Sequence, residues 1–587
     1  MGEDDFDAVV IGSGFGGSVA AWRLKESCPG KKVLVLERGM PYPPGSFART
    51  PHEMRSNFWD PSGWLYGLFE VWSFDHCKAI VSSGLGGGSL IYANVMLEKP
   101  RPTFGADAPN DGRRWPWPVG DEQFRELGEA YEMVKRDLGA GPVPQAYVDA
   151  PPEATAAVPK TRQFLDAAAS AGLDEPQLAK IAVTFAGPGE EPGAPFGHAS
   201  ENLHDRRRHA CALVGECDLG CNEGAKNTLD YTYLSRFKSA GGEIRTCCEA
   251  YFLSRNDEGY AVRYRQHLIA RRRVERRAEA DGKETDRELL DGSGGEARQV
   301  NADVVIVAAG TFGSSRLLLL SQTGLPHMDT RNLGRRFSSN GDILTVASKC
   351  INGETAHQRE LSPSRGPVIT AYATRKVKGE DLWMQDAGGP MLSEWGWQLS
   401  EAFGDAVAMS DTLWKVVSGR WRGRVSRDIA RLFGTSRASS AMLPMLTMGR
   451  DRPGGRLRLD GQGLALDWDP SGASRPYFDR ADETAASVAK GLGGRLAPRW
   501  LRRRARGVTV HPLGGCPMAA DASHGVVDPD GQVFGCPGLF VADGSVMPGP
   551  VGPNPSLTIG ALADHIARAA ARRLASSGPG NGGGSPP

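Results

Sequence analysis

No apolar run in this 587-residue sequence approaches the ~18 residues that a membrane span requires. Net charge is missing as well. The 69 Lys and Arg balance 69 Asp and Glu, which removes any bulk attraction to nucleic acid or to an anionic membrane. Ten cysteines are scattered without the spacing of a small disulfide framework, so reduced thiols in an intracellular chain are expected. Met1-Gly2-Glu3-Asp4-Asp5 carries neither the basic patch nor the apolar stretch of a secretory leader; the expected location is cytoplasmic, with transient membrane contact left open. Internal repeats are not evident. The 75 glycines and 40 prolines, roughly a fifth of the chain, stay below the share typical of low-complexity chains and predict many tight turns. Residues 576–587 read as a disordered tail by composition.

What is present is organised around residues 6–37. An apolar run of strand length, with Phe6 and Ala8 to Ile11, ends on Gly12-Ser13-Gly14-Phe15-Gly16-Gly17, followed by a helix-compatible stretch and a second apolar run at 33–36. In a GxGxxG turn of this kind Gly12 permits the tight bend, Gly14 admits a pyrophosphate against the backbone, and Gly17 lets the helix pack on the strand. Glu37 closes the second strand twenty residues on, where a carboxylate accepts hydrogen bonds from an adenosine ribose. The combination predicts a dinucleotide site whose phosphates face the helix N-terminus.

Further along, nine aromatic and apolar residues between Phe58 and Phe74 are expected to form core or an apolar wall over a hydrophobic substrate. His76 reads as an ordinary hydrogen-bonding side chain rather than a flavin attachment point. A second glycine loop, Gly84-Leu85-Gly86-Gly87-Gly88-Ser89, leads to Asn94 and Met96 and marks another close approach of backbone to a ligand. Helices are expected near 121–138 and 161–171. Cys211, Cys217 and Cys221 lack the residue that a ferredoxin-like run would need at Val214, so no metal is assigned and a buried loop of thiols leading into a helix near Thr228 is expected. Segments at 243–246 and 260–264 read as strands of a small sheet, and the mixed charges around Arg271–Arg277 as a solvated hairpin arm. Val304 to Gly310 reads as strand turning into helix. Trp383, Trp395, Trp397, Trp414 and Trp421, with Met384 and Met391, supply the core or the ligand cavity of a further region.

Near the C-terminal end, His511-Pro512-Leu513-Gly514-Gly515-Cys516 follows a short strand, and Leu539-Phe540-Val541-Ala542-Asp543-Gly544-Ser545 leads to Asn554-Pro555-Ser556. A histidine held by a proline and two glycines suits a general base. The GxGGGS loop followed by Asn94, the HPLGGC and GPVGxNPSLTI segments, and residues 310–342 together resemble the glucose-methanol-choline (GMC) oxidoreductases, and within them the cholesterol oxidase branch.

That resemblance implies an α/β fold: a Rossmann-like FAD-binding domain with an interleaved α+β substrate domain on an antiparallel sheet. The implied division is 1–110 FAD-binding, 111–204 cap, 205–345 FAD-binding, 346–504 substrate domain, 505–574 FAD-binding with the active site, and 575–587 tail. Non-covalent FAD would be held by Gly12, Gly14, Phe15, Gly16, Gly17, Glu37, Gly84, Gly86, Gly87, Gly88, Ser89, Asn94, Gly310, Asp543, Gly544, Asn554, Pro555 and Ser556. His511 and Asn554 would flank the hydroxyl of a bulky apolar alcohol, His511 as base, while hydride passes to the flavin. Molecular oxygen or another acceptor would then take the electrons. Sterol oxidases of the family also isomerise a double bond with a glutamate expected here near 438–448. Between Asp428 and Asp451 this chain has no Asp or Glu, and Glu394 is the candidate substitute, so simple oxidation is expected. A non-redox lyase, isomerase or cyclase on the same scaffold is the alternative, and a non-catalytic electron-transfer partner a third reading.

Overall fold

The computed structural model describes residues 5–104, 121–256, 259–281, 297–352, 359–376, 381–390, 440–461, 463–496 and 507–576. Its main sheet is built on the strand Asp5–Ile11, whose buried Ala8 to Ile11 are covered on both faces, as the continuous apolar run requires. This strand pairs in parallel with Val33–Leu36 on one side and with Ala297–Val307 on the other. Ala297–Val307 changes partner midway: its first half pairs antiparallel with Gly259–Gln266, and its last three residues pair in parallel with Leu539–Val541. The helix Phe15–Ser27 packs against the C-terminal helix Ser556–Ser576 and against Tyr233–Ser239.

Two expectations are corrected here. Glu243–Arg245 does not belong to a separate small sheet; it extends the main sheet by parallel pairing with Val33–Leu36. The arginine-rich stretch is not a hairpin arm but lies in the helix Leu268–Asp281, with Ala270, Val274 and Ala278 buried at four-residue spacing. The helices Asp121–Asp137 and Pro159–Ser170 lie where the sequence placed them, whereas the one sought near Thr228 starts at Tyr233.

A second sheet is antiparallel throughout, in the order Arg495–Leu496, Ile343–Ser348, Leu443–Gly449, Leu382–Asp386, Ala371–Arg375, Asp174–Leu178. One face packs on the helices Pro159–Ser170 and Arg475–Gly491 through Ala347, Ala373, Met384, Met445, Phe164 and Val488. Directly paired residues share a face, so the pairings Leu344↔Leu446, Gln385↔Leu446 and Tyr372↔Gln385 set these four on one side. Trp395, Trp397, Trp414, Trp421, Met391 and Glu394 lie outside the described residues, as does the tail beyond Ser576. Among the described residues no helix is long and apolar enough to cross a membrane.

The aromatic stretch is divided. Trp59, Tyr66, Leu68 and Phe69 are buried with Met40, Ala270 and Val274, whereas Phe58, Trp64 and Val71 are exposed.

Candidate active site

The two glycine loops meet backbone to backbone. A Cβ at Gly87 would stand 2.5 Å from the Cα of Gly14, and one at Gly16 would stand 1.6 Å from the carbonyl oxygen of Ala542, so both positions must be glycine for the chain to close. Ser13 joins the loops through polar contacts. Its amide and hydroxyl reach Glu37 Oε2 at 3.1 and 2.5 Å, and its Oγ accepts from the amide of Gly86 at 3.0 Å. Glu37 also accepts from the amide of Gly39 at 2.8 Å. Burial pushes its carboxyl up from the ordinary value, while the bonds from Ser13 and Gly39 pull it back.

Other features are left over by packing and fit a planar, phosphorylated cofactor. Gly14 caps the helix Phe15–Ser27 with no side-chain hydrogen bond and no acid in the first turn, leaving that N-terminus electrostatically open to phosphate. A Cβ at Gly14 would meet nothing nearer than 4.0 Å, and one at Gly88 nothing within 4 Å. Neither glycine is demanded by the protein's own packing. Asn94 is fully buried, at φ 68°, yet neither Oδ1 nor Nδ2 has a hydrogen-bond partner among the described residues. A buried amide without partners costs several kcal/mol, roughly 1–3 per group, so a ligand edge beside it is the natural complement. The residues thus fit an FAD.

Other sequence-predicted cofactor residues are used within the chain. Asp543 accepts four hydrogen bonds, from the Gly310 amide and Ser314 hydroxyl on Oδ2 and from the Ser545 amide and hydroxyl on Oδ1. Its side chain therefore holds the start of the helix Gly310–Leu320 rather than offering free acceptors. Ser89 Oγ donates to Gly86 O and accepts from the amide of Leu229. Phe15 packs edge-on against Tyr92 at 5.4 Å. Gly544 lies beside Leu513 and Ile559, and Pro555 and Ser556 open the C-terminal helix.

His511 is delivered by the strand Val508–Thr509, which pairs in parallel with Lys78–Ser82, the strand that runs into the second glycine loop. Just after it, Leu513–Gly515 pairs with Arg335–Ser338. That pairing brings in Asp342, a residue the sequence reading passed over. Asp342 Oδ1 lies 2.9 Å from His511 Nδ1, and Oδ2 accepts from Thr509 Oγ1 and from the amides of Val510 and His511 at 2.9, 3.0 and 3.2 Å. A carboxylate only accepts, so Nδ1 carries the proton and Nε2 is left as an acceptor. The ring is 14% exposed, so a substrate can reach it.

Asn554 is buried, and its amide pairs with that of Gln385: Gln385 Nε2 donates to Asn554 Oδ1 at 2.6 Å, and Asn554 Nδ2 faces Gln385 Oε1 at 3.4 Å. One N–H of Asn554 stays outside the pair. Gln385 comes from the second sheet and was not singled out in the sequence. It is the amide facing Asn554, and residues 438–448, where the resemblance implies a glutamate, contain none. Leu344 shares a sheet face with Gln385, and Val510 directly precedes His511 in the chain; each is 47% exposed.

Among the described residues no three His, Cys, Asp or Glu are placed to hold a metal ion. Cys211, Cys217 and Cys221 instead pack against Val95, Ile181 and Ile369, with burial raising the Cys211 and Cys217 thiols. His76 is exposed.

The family model described as GMC oxidoreductase matches residues 476–563, a span that contains both His511 and Asn554, and a model of an NAD(P)-binding Rossmann-like domain matches residues 10–46. A cholesterol oxidase of Mycobacterium tuberculosis is 28% identical over 96% of this chain and 90% of its own. One from Acinetobacter baumannii is 26% identical over 95% and 93%. Among solved structures, pyridoxine 4-oxidase from Mesorbium loti shares the fold with a TM-score of 0.57 at 16% identity, over 96% of this chain and 99% of that one. With two glycine loops welded together and a histidine and an asparagine on the matched segment, the chain carries a GMC oxidoreductase segment at 476–563 and is similar over nearly its whole length to proteins named cholesterol oxidase.

Proposed function

We propose that this protein oxidises the hydroxyl of a bulky apolar alcohol, sterol-, terpenoid- or polyketide-like, to a ketone or aldehyde, with His511 as the base. The observation that carries the reading is the fixed polarity of the site. Asp342 leaves His511 Nε2 as an acceptor, and the pair with Gln385 leaves Asn554 an N–H to donate. An alcohol offers the complement, one O–H to give and one oxygen to receive. His511 draws off the hydroxyl proton as Asn554 steadies the oxygen. FAD, held by the two glycine loops with Glu37 and Asn94, supplies when bound the acceptor for the hydride that leaves the carbon.

The substrate class follows from what adjoins these groups. Leu344, Leu446 and Tyr372 share a sheet face with Gln385, and Val510 stands exposed next to His511, so the surroundings are apolar. Relatives named cholesterol oxidase and long-chain-alcohol oxidase support a large apolar alcohol, with oxygen or another acceptor taking the electrons. The domain division drawn from the sequence is kept as part of this proposal. A cytoplasmic setting is proposed too, on thiols that form no disulfide among the described residues.

The test is anaerobic mixing of the purified yellow protein with sterols, terpenoid alcohols and short alcohols. Bleaching of the oxidised-flavin band by the bulky class is the expected result. A flavin whose spectrum a ligand shifts, but which none of the alcohols reduces, would instead support the non-redox lyase or isomerase reading.

A further inference from the structure

One buried segment reaches both loops that carry the proposed pair. Residues 338–342 leave the strand Arg335–Ser338 and turn through two successive left-handed positions, Asn340 at φ 55° and Gly341 at φ 66°. Asn340 is fully buried and its amide is used completely. Oδ1 accepts from the amides of Val551 and Gly552 at 2.9 and 3.0 Å, and Nδ2 donates to the carbonyls of Gly552 and Pro553, each at 3.2 Å. Two residues later Asp342 grips the ring and the backbone of His511.

The segment is itself held from outside. Asp451 accepts from the hydroxyl of Ser338 and from the amide and hydroxyl of Ser339, Tyr477 donates to the carbonyl of Gly341 at 2.8 Å, and Gly449 donates to that of Asn340 at 3.0 Å. On the far side, neighbouring carbonyls of the Asn554 loop are captured by Arg336, at Pro548, and by Lys99, at Pro550.

We propose that Asn340 is a positioning residue: it ties the Asn554 loop to the stretch of backbone that bears Asp342, so two rigid residues set where Asn554 stands relative to His511. The kinetic part rests on the alcohol-oxidation reading; the tie between the loops does not. A misplacement of about 1 Å between groups that must meet one substrate oxygen costs on the order of 10²-fold in rate.

The test uses the full-length holoprotein with Asn340→Ala, and Asn340→Asp as the isosteric second variant, which keeps the acceptors and loses the donors. Flavin stays bound in both. The reduction rate at saturating alcohol is expected to fall about 10- to 100-fold with KM little changed; in Asn340→Ala the pH profile should stay unmoved and hydrogen exchange at the Val551 and Gly552 amides should quicken. Reduction within about threefold of wild type, or amides as slow to exchange as in wild type, overturns the proposal. Should no alcohol reduce even the wild type, the oxidation reading fails by itself, and slow exchange at those two amides in the variant would still overturn the tie. If Asn340→Ala does not fold, the rate in Asn340→Asp decides.

Discussion

Asp342 holds His511 at two points with two different oxygens, Oδ1 on the ring nitrogen Nδ1 at 2.9 Å and Oδ2 on the backbone amide at 3.2 Å. The ring can neither swing nor exchange its tautomer without breaking a charge-assisted bond. Asp342→Asn keeps the size but offers an N–H where the ring needs an acceptor. Anaerobic flavin reduction in this variant is expected to slow by about 10²–10⁴-fold, with flavin content unchanged. A rate near that of wild type would show that Nδ1 does not depend on Asp342.

Removing the proposed pair tests the chemistry itself. His511→Ala and Asn554→Ala should each lower the reduction rate, the histidine variant by about 10²–10⁴-fold. Both proteins should remain yellow. Undiminished turnover in either would remove that residue from the site.

Gly14 and Gly16 are two residues apart and should fail differently on substitution by alanine. A Cβ at Gly16 would overlap the carbonyl of Ala542 at 1.6 Å, so Gly16→Ala should yield little folded protein. At Gly14 the added carbon meets only Gly87 at 4.0 Å. Gly14→Ala should therefore melt cooperatively as apoprotein within several degrees of wild-type apoprotein while retaining little flavin after gel filtration. Full flavin occupancy would show that the pyrophosphate does not approach there.

Burial lifts the carboxyl of Asp451 to about 6, with the bonds from Ser338 and Ser339 pulling it down and Asp342 pushing it up. The folded chain thus binds this proton more tightly than the unfolded chain. Its contribution to stability is present in full below the ordinary value of 3.8 and is lost as pH rises through 6. In denaturant titrations between pH 4 and pH 7 the stability of wild type should fall relative to that of Asp451→Asn by about 2 kcal/mol. Parallel stability curves would count against it.

The glycine loops were legible in the sequence because close approach of backbone to backbone admits only one residue type, and Gly12, Gly16 and Gly87 all fill that need. His511 and Asn554 stood out within their segments by resemblance. Their partners did not. Asp342 lies 169 residues before His511, Gln385 the same distance before Asn554, and Asn340 211 residues before Val551. No local spacing encodes pairings that arise when sheet strands from distant parts of the chain align. Asp543 shows the reverse case: the strand-end acid was picked out, but the fold uses its side chain on Gly310, Ser314 and Ser545. The helix Leu268–Asp281 did have a signal, the four-residue rhythm of Ala270, Val274 and Ala278, hidden among arginines.

Ala297–Val307 lies between Asp5–Ile11 and Leu539–Val541, so the two strands that flank it are more than five hundred residues apart in the chain, and its partner Leu539–Val541 follows it by 232 residues, from Val307 to Leu539. At a synthesis rate of about 5–20 residues per second, the stretch from Val307 to Leu539 occupies the ribosome for on the order of tens of seconds. Through that time Val305, Ile306 and Val307 have a partner on one side only, and the glycine turn before Phe15 still lacks the Ala542 carbonyl that closes it. The nascent chain must therefore carry an unfinished edge until its last segment emerges, and only then does it become competent to take up its cofactor.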